Sequence, residues 1–486
     1  MKKTLLILIA PLFLLISCEK KFLDTLPRGL IIAQSTSDFR KLLDNADTRY
    51  SYNLAQVSGY VDVVSDDVQL DSSWYEWDRN RLHAKNLYGF ESQVWTPDGA
   101  GDDDVWKQNY YINTLTSNIL EEIHIATDNP KLQKQLIAEA KAHRAFAYLT
   151  LVNIYAKHYN KATAATDMGV PLFTNPVSLP KLDRASVQKV YDFILSELLA
   201  AVDDLPAEVD MQYSHRPTKA STYAILARTY LYMGNYEKAL EYSEKSLQIK
   251  DFIYNYNTIY TGTPAVDKVK KISRITDEEM LLHKTMVKSV RANDYYMIDT
   301  ITFNKVYGGF TKVNDSVTIN YDLRRVLWFQ GTNSAGSLNA DRARYVFSRN
   351  RYGGDNAIVE YISVSTLEMY LTRAECNARL SNLDKALNDI NKIRMNRFKT
   401  GTYTPISSSG AGQAFVLNEV LLERRRELYG KELRLFDIKR LGLPVSHLKP
   451  GTMFPGFNVP ANDIKLVWPV HFHNIELNPE IGQIPR

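Results

Sequence analysis

Several long stretches of the chain carry apolar residues at three- and four-residue spacing, the pattern of helices with a buried face. Residues 130–158, PKLQKQLIAEAKAHRAFAYLTLVNIYAKH, are the first, with alanines where helices can approach closely. Residues 185–204 are the second, stopped by Pro206. Residues 216–247, RPTKASTYAILARTYLYMGNYEKALEYSEKSL, predict two helices around a turn at Met233-Gly234-Asn235. Residues 365–394, STLEMYLTRAECNARLSNLDKALNDINKIR, predict another pair.

The last two stretches align without a gap. Ala227 matches Ala374, Gly234 matches Ser381, Tyr236 matches Leu383 and Ala239 matches Ala386. Small residues at the helix contact, with a larger apolar residue between, resemble the tetratricopeptide helix–turn–helix unit. Residues 134–155 can open a further, more degenerate unit. The copies lie far apart, which predicts a helical-repeat scaffold with long insertions rather than a tandem solenoid. Residues 50–110 and about 250–360 are rich in Tyr, Asn, Asp, Gly and Ser, with strand-like pieces such as SVTINYD and ARYVFSR. Their aromatic content argues for functional loops rather than disorder. The expected fold is mainly α, with irregular, partly β insertions.

The N-terminus has a different pattern. Lys2 and Lys3 precede an apolar run from Leu5 to Ile16, interrupted by Pro11 and shorter than the roughly 20 residues of a spanning helix. This reads as an export signal over 1–17. Leu15-Ile16-Ser17-Cys18 resembles the bacterial lipobox, in which the cysteine sulfur is acylated and the chain is cut before it. Cys18 is therefore the expected lipidation site. Residues 18–27 are the expected stalk, 28–250 an N-terminal region and 251–486 a C-terminal one. No later run of 18 or more apolar residues occurs.

Composition narrows the function. A net charge of +4 over 486 residues does not support a nucleic-acid binder driven by charge. Cys376 is the only other cysteine; it lies in a helical pattern and reads as a small buried hydrophobe. With Cys18 acylated, it is expected to be a free thiol. The motifs G-x-S-x-G, H-E-x-x-H, G-x-G-x-x-G and the P-loop are absent. Paired carboxylates are too common among 55 acids for spacing to exclude a glycosidase.

Five segments together carry a family resemblance. They are CEKKFLDTLP after the lipobox, EAKAHRAFAYLTLVNIYAKH at 139–158, RPTKASTYAILARTYLYMGNYEKAL, LERRRELYGKELRLFDIKRLG at 422–442, and WPVHFHNIELNPEIGQIP at 468–485. In this order they resemble the SusD/RagB family of outer-membrane lipoproteins of Bacteroidetes. The resemblance implies a cell-surface protein, without catalytic activity or cofactor, that binds glycans or in some members peptides. It implies delivery of that ligand to a TonB-dependent, SusC-like outer-membrane transporter. An envelope scaffold that binds no nutrient and a glycan hydrolase are the alternatives.

Four of the six tryptophans fall between residues 74 and 106. DSSWYEWDRNRLHAKNLYGFESQVW interleaves aromatics with Asp, Asn and Arg. Aromatic faces stack on the C–H faces of sugars, and the polar groups bond hydroxyls. Trp74, Tyr75, Trp77, Asn80 and Arg81 are the candidate ligand contacts, whereas Trp106 reads as core. The resemblance implies aromatics from the second insertion as well. It points to the region of Asn293-Asp294-Tyr295-Tyr296 and Trp328-Phe329, of which Tyr295, Tyr296 and Trp328 are the candidates. The Asp98–Asp104 loop lacks EF-hand spacing and reads as helix-capping rather than calcium-binding. His471 and His473 have no evident third ligand and are expected in a loop. Arg424-Arg425-Arg426 lies between Glu423 and Glu427, so a solvated or salt-bridged structural role is expected.

Overall fold

The computed structural model describes residues 33–44, 61–70, 82–97, 102–174, 182–208, 210–259, 277–287, 296–298, 300–308, 311–313, 316–318, 321–332, 344–347, 358–360, 362–450, 452 and 454–486. Among them, helices dominate. In chain order, those used below are α1 (Thr36–Leu43), α2 (Leu82–Tyr88), α3 (Asp104–Glu122), α4 (Pro130–Tyr155), α5 (Val187–Ala201), α6 (Lys219–Tyr232), α7 (Tyr236–Ile249), α8 (Thr366–Arg379), α9 (Leu383–Met395), α10 (Gln413–Leu428), α11 (Arg434–Leu441) and α12 (Phe472–Leu477).

Local chemistry sets these boundaries. Ser35 and Asp38 form a reciprocal capping box on α1, and Thr218 and Ser221 form one on α6. Asn129 caps α4, whose first residue is Pro130. Gly442 in the left-handed region closes α11. The two matched pairs superimpose in sequence register: α6 and α8 are 14 residues each, and the turns break at Gly234 (φ 73°) and Ser381 (φ 65°). Ala227, Ala239, Ala374 and Ala386 are all fully buried where the paired helices meet.

The helices pack as a series: α3 on α4, α4 on α5, α5 on α6, α6 on α7, α7 on α8, and α8 on both α9 and α10. The contact of α7 with α8 joins the two tetratricopeptide-like units directly. They are separated in sequence but stacked in space, so the second insertion is looped out of a continuous helical stack. Arg228 of α6 ties the junction. Its guanidinium is 1% exposed, pairs bidentately with Glu368 of α8 at 2.6 and 2.7 Å, and donates to the carbonyls of Ile362 and Ser363. The largest core cluster draws on residues from Val61 to Ile481.

Strands are short. Among the described residues the largest sheet has four, labelled β1 (Gln69–Leu70), β2 (Tyr296–Ile298), β3 (Phe329–Thr332) and β4 (Arg344–Phe347), in the order β1-β2-β4-β3 with all pairs antiparallel. A hairpin of β5 (Val445–Leu448) and β6 (Pro455–Val459) follows α11.

Candidate functional site

The four-stranded sheet pairs the strands that flank the two segments the sequence singles out. Gln69, Met297, Val346 and Gln330 form one row across it. One position further on, Leu70 pairs with Tyr296 and Phe329 pairs with Phe347. Residues 71–81 follow Leu70 in the chain, Tyr295 precedes Tyr296, and Trp328 precedes Phe329. The antiparallel register therefore pairs strands next to both aromatic segments within one sheet, although more than 200 positions separate the segments in sequence.

Trp74, Tyr75, Trp77, Asn80, Arg81 and Tyr295 lie outside the described residues, as do Cys18 and the export signal. Tyr296 is placed by its backbone register alone. Trp328 is 8% exposed, with its ring edge-on to Tyr256 at 6.0 Å, in a cluster with Ile298, Phe303 and Tyr307. Trp106 is core, as expected, with its ring edge-on to Tyr155.

The root of the first segment is held rigidly. Residues 61–67 are pinned by the C-terminal part of the chain. Arg425 donates to the Asp67 carboxylate at 2.7 Å and to the Asp66 carbonyl. Arg434 grips Asp66 bidentately, and the Tyr429 hydroxyl donates to the Asp67 carbonyl. Glu432, itself at φ 58°, accepts from the Asp62 N–H, while Asp62 accepts from the N–H groups of Arg434 and Leu435 at the start of α11. His447 lies stacked between Tyr88 and Phe90, and its nitrogens face the carbonyls of Tyr88 and Ser65 at 2.8 Å. Burial would raise Asp66, but Arg434 and Arg425 hold it down at about 2. Opposite charge in SDD at 65–67 and ERRREL at 423–428 was the only sequence signal for this clamp.

The basic run is correspondingly not solvated. Arg424 is 1% exposed and pairs with Asp437. Arg425 holds the clamp, and Arg426 bonds Glu423 and the Val306 carbonyl. Behind them, Arg324 meets Asp322, Glu423 and Glu427, each at 2.7 Å, and Arg397 bridges Glu427 to Glu279. Burial would raise Glu423, but Arg324 and Arg394 keep it well below the usual carboxylate range. The reason is arrangement: helix α10 turns both its acids and its arginines inward, so each buried charge meets its opposite.

Residues 98–101 of the Asp98–Asp104 loop lie outside the described residues, and the other chemical candidates take structural positions. Asp103 caps α3 through the Trp106 N–H and accepts from the Tyr155 hydroxyl at 2.6 Å. Burial pushes its carboxyl up to about 7. His471 lies at the start of α12 rather than in a free loop, its Nδ1 accepting from the His473 N–H as a cap, and exposed His473 pairs with Glu476. Among the described residues no cluster of three or more His, Cys, Asp or Glu stands close enough to hold a metal. Cys376 is fully buried and free, and burial pushes its thiol far up. No described helix is long and apolar enough to cross a membrane.

Comparison with known proteins covers both ends of the chain. Residues 21–231 match a SusD-like family described as starch-binding and associating with the outer membrane, and residues 366–485 match the SusD family. A SusD-like protein P2 of Formosa agariphila is 22% identical over 400 residues, covering 74% of this chain and 77% of that one. A putative sugar-binding protein of Bacteroides vulgatus has the same fold, with a TM-score of 0.71, 20% identity, and coverage of 94% of this chain and 99% of its own. A SusD superfamily structure from Bacteroides thetaiotaomicron gives a TM-score of 0.71 at 19% identity, covering 93% of this chain and all of the other.

Proposed function

The chain belongs to the SusD family, and on that premise we propose that it is a non-catalytic, lipid-anchored protein of the outer-membrane surface. It binds glycans and delivers them to a SusC-like, TonB-dependent transporter. Cys18 carries the acyl chains, and several chains anchor stably where one does not. The observation that supports the ligand reading is the sheet register, in which Leu70, the last described residue before the segment of Trp74, Tyr75, Trp77, Asn80 and Arg81, pairs with Tyr296. The descriptions of the matched family as starch-binding and of a structural neighbour as sugar-binding support carbohydrate as the ligand class.

Affinity electrophoresis and calorimetry against a panel of polysaccharides and peptides test this. A glycan is expected to bind, and Trp74→Ala with Trp77→Ala is expected to weaken it by about tenfold or more without unfolding. No binding to any glycan, with stable capture of a barrel protein, would favour an envelope scaffold. Release of product from a glycan by purified protein would show an enzyme instead.

A further inference from the structure

Four helices meet one turn beyond the Arg228–Glu368 pair. On α6, Tyr232 follows Arg228 by four residues, and on α8, Thr372 follows Glu368 by four, so each shares a helix face with one member of the pair. Helix α11 touches both: Phe436 meets the Tyr232 ring edge-on at 6.0 Å, and Arg440 grips Glu375, three residues past Thr372, at 2.6 and 2.8 Å. Helix α10 supplies Arg424, whose Nε donates to both oxygens of Asp437 on α11. The Arg424 charge acts on the Tyr232 hydroxyl and is itself acted on by Glu368, which sets the guanidinium near both α6 and α8. Tyr232 and Arg424 are 1% exposed and Thr372 is fully buried.

The bonding at this junction is incomplete in one specific way. The Tyr232 hydroxyl, the Thr372 hydroxyl and both terminal nitrogens of Arg424, Nη1 and Nη2, have no hydrogen-bond partner among the described residues. The charges around them are matched: Arg228 by Glu368, Arg424 by Asp437, and Arg440 by Asp437 and by Glu375, which the partly exposed Arg379 also reaches. Buried polar groups are satisfied by protein or by ordered water in folded proteins, because a bare donor forfeits its hydration. Chemistry limits what can satisfy these. A guanidinium only donates, whereas a hydroxyl donates or accepts. A water molecule can accept from the Arg424 nitrogens and donate to the two hydroxyl oxygens, using its full bonding capacity. An anion could accept from all of these groups, but the electrostatics oppose it. Burial alone would lower Arg424, yet Asp437 and Glu368 hold it above its ordinary value, so the potential at the guanidinium is already negative. With all three side chains closed to solvent, a nutrient ligand has no access.

We propose that ordered water is a structural ligand of this junction, bridging Tyr232 of α6, Thr372 of α8 and Arg424 of α10. It completes the joint between the two tetratricopeptide-like units and the C-terminal helices, and its sealed position makes exchange with bulk solvent slow. The proposal does not depend on the glycan reading. A high-resolution crystal structure after a bromide soak reads the occupant directly. Density within hydrogen-bond distance of the Arg424 terminal nitrogens and the Tyr232 hydroxyl, without a bromide anomalous peak, is expected. In solution, magnetic relaxation dispersion of water counts the long-lived internal molecules. The Tyr232→Phe/Thr372→Val variant removes both hydroxyls and is expected to lose at least one of them. Side chains that served packing alone would leave that count unchanged. The proposal is overturned by a bromide peak at the junction, by Arg424 bonded directly to Tyr232 or Thr372 with no density between them, or by an unchanged water count in the folded variant. If the variant does not fold, the crystal structure of the unaltered protein decides.

Discussion

Asp103 shows how one residue can serve the fold at a pH-dependent cost. It caps α3, yet burial raises its carboxyl to about 7 from an ordinary 3.8. Between those values the folded protein holds a proton that the unfolded chain has lost. Stability therefore falls as pH rises from about 4 to 7 and levels off above, at up to about 1.4 kcal/mol per unit. Asp103→Asn keeps a capping oxygen and removes the ionisation. The variant is expected to be more stable at pH 7.5 but not at pH 4, with a flatter profile between, as read by urea denaturation across that range. Gly234 and Ser381 form a second residue-scale comparison, because equivalent turns demand the same left-handed backbone. Gly234→Ala is expected to cost about 1 kcal/mol, since the new Cβ has space and only the backbone is strained. Ser381→Gly is expected to be neutral or to stabilise by less than that. Denaturation midpoints of the pair check both.

The helical pairs were plain in the sequence because their evidence is local: apolar spacing, small residues at the contact, and a turn residue in the same register twice. Their stacking was not. The long insertion between the end of α7 at Ile249 and the start of α8 at Thr366 gives no local signal that these two helices touch. Arg228 records that junction, because it spans from α6 to Glu368 and to the strained Ile362 (φ 46°). Removing one partner of such a buried pair leaves the other charge desolvated. Arg228→Ala is expected to destabilise by about 3–5 kcal/mol in chemical denaturation. Glu368→Gln is expected to lose less, since it keeps an acceptor for the guanidinium. Equal, small losses in both would show that Arg228 does not hold the junction.

At the scale of the molecule, the buried ion pairs set the response to acid. Asp44, Asp66 and Asp437 lie at about 2; burial alone would raise each, but His215 and Arg216, Arg434 and Arg425, and Arg424 and Arg440 respectively hold them down. A depressed carboxylate contributes stability that is fully present above its unfolded value near 4 and lost as pH falls toward the folded value. The opposite slope of Asp103 acts above pH 4, so the steep acid loss is expected between pH 4 and 2, followed by circular dichroism. Unchanged stability down to pH 2 would mean that the network does not carry the fold.

Residue types and local spacing were enough to establish a helical-repeat scaffold, its turns and the first aromatic segment as a ligand candidate, because each depends on neighbours a few positions away. The family resemblance pointed to Trp328 as a ligand candidate, and packing buries its ring against Tyr256 in a cluster with Ile298, Phe303 and Tyr307. Residue types left the ERRREL run open between solvent and salt bridges; the fold turned it inward, onto Asp67, Asp437 and Arg324. The pairing of the strands that flank two distant aromatic segments, and the junction of Tyr232, Thr372 and Arg424, depend on pairings across hundreds of residues. No pattern in a single strand or helix encodes such pairings, because they are selected by the burial and hydrogen bonding of the whole chain at once.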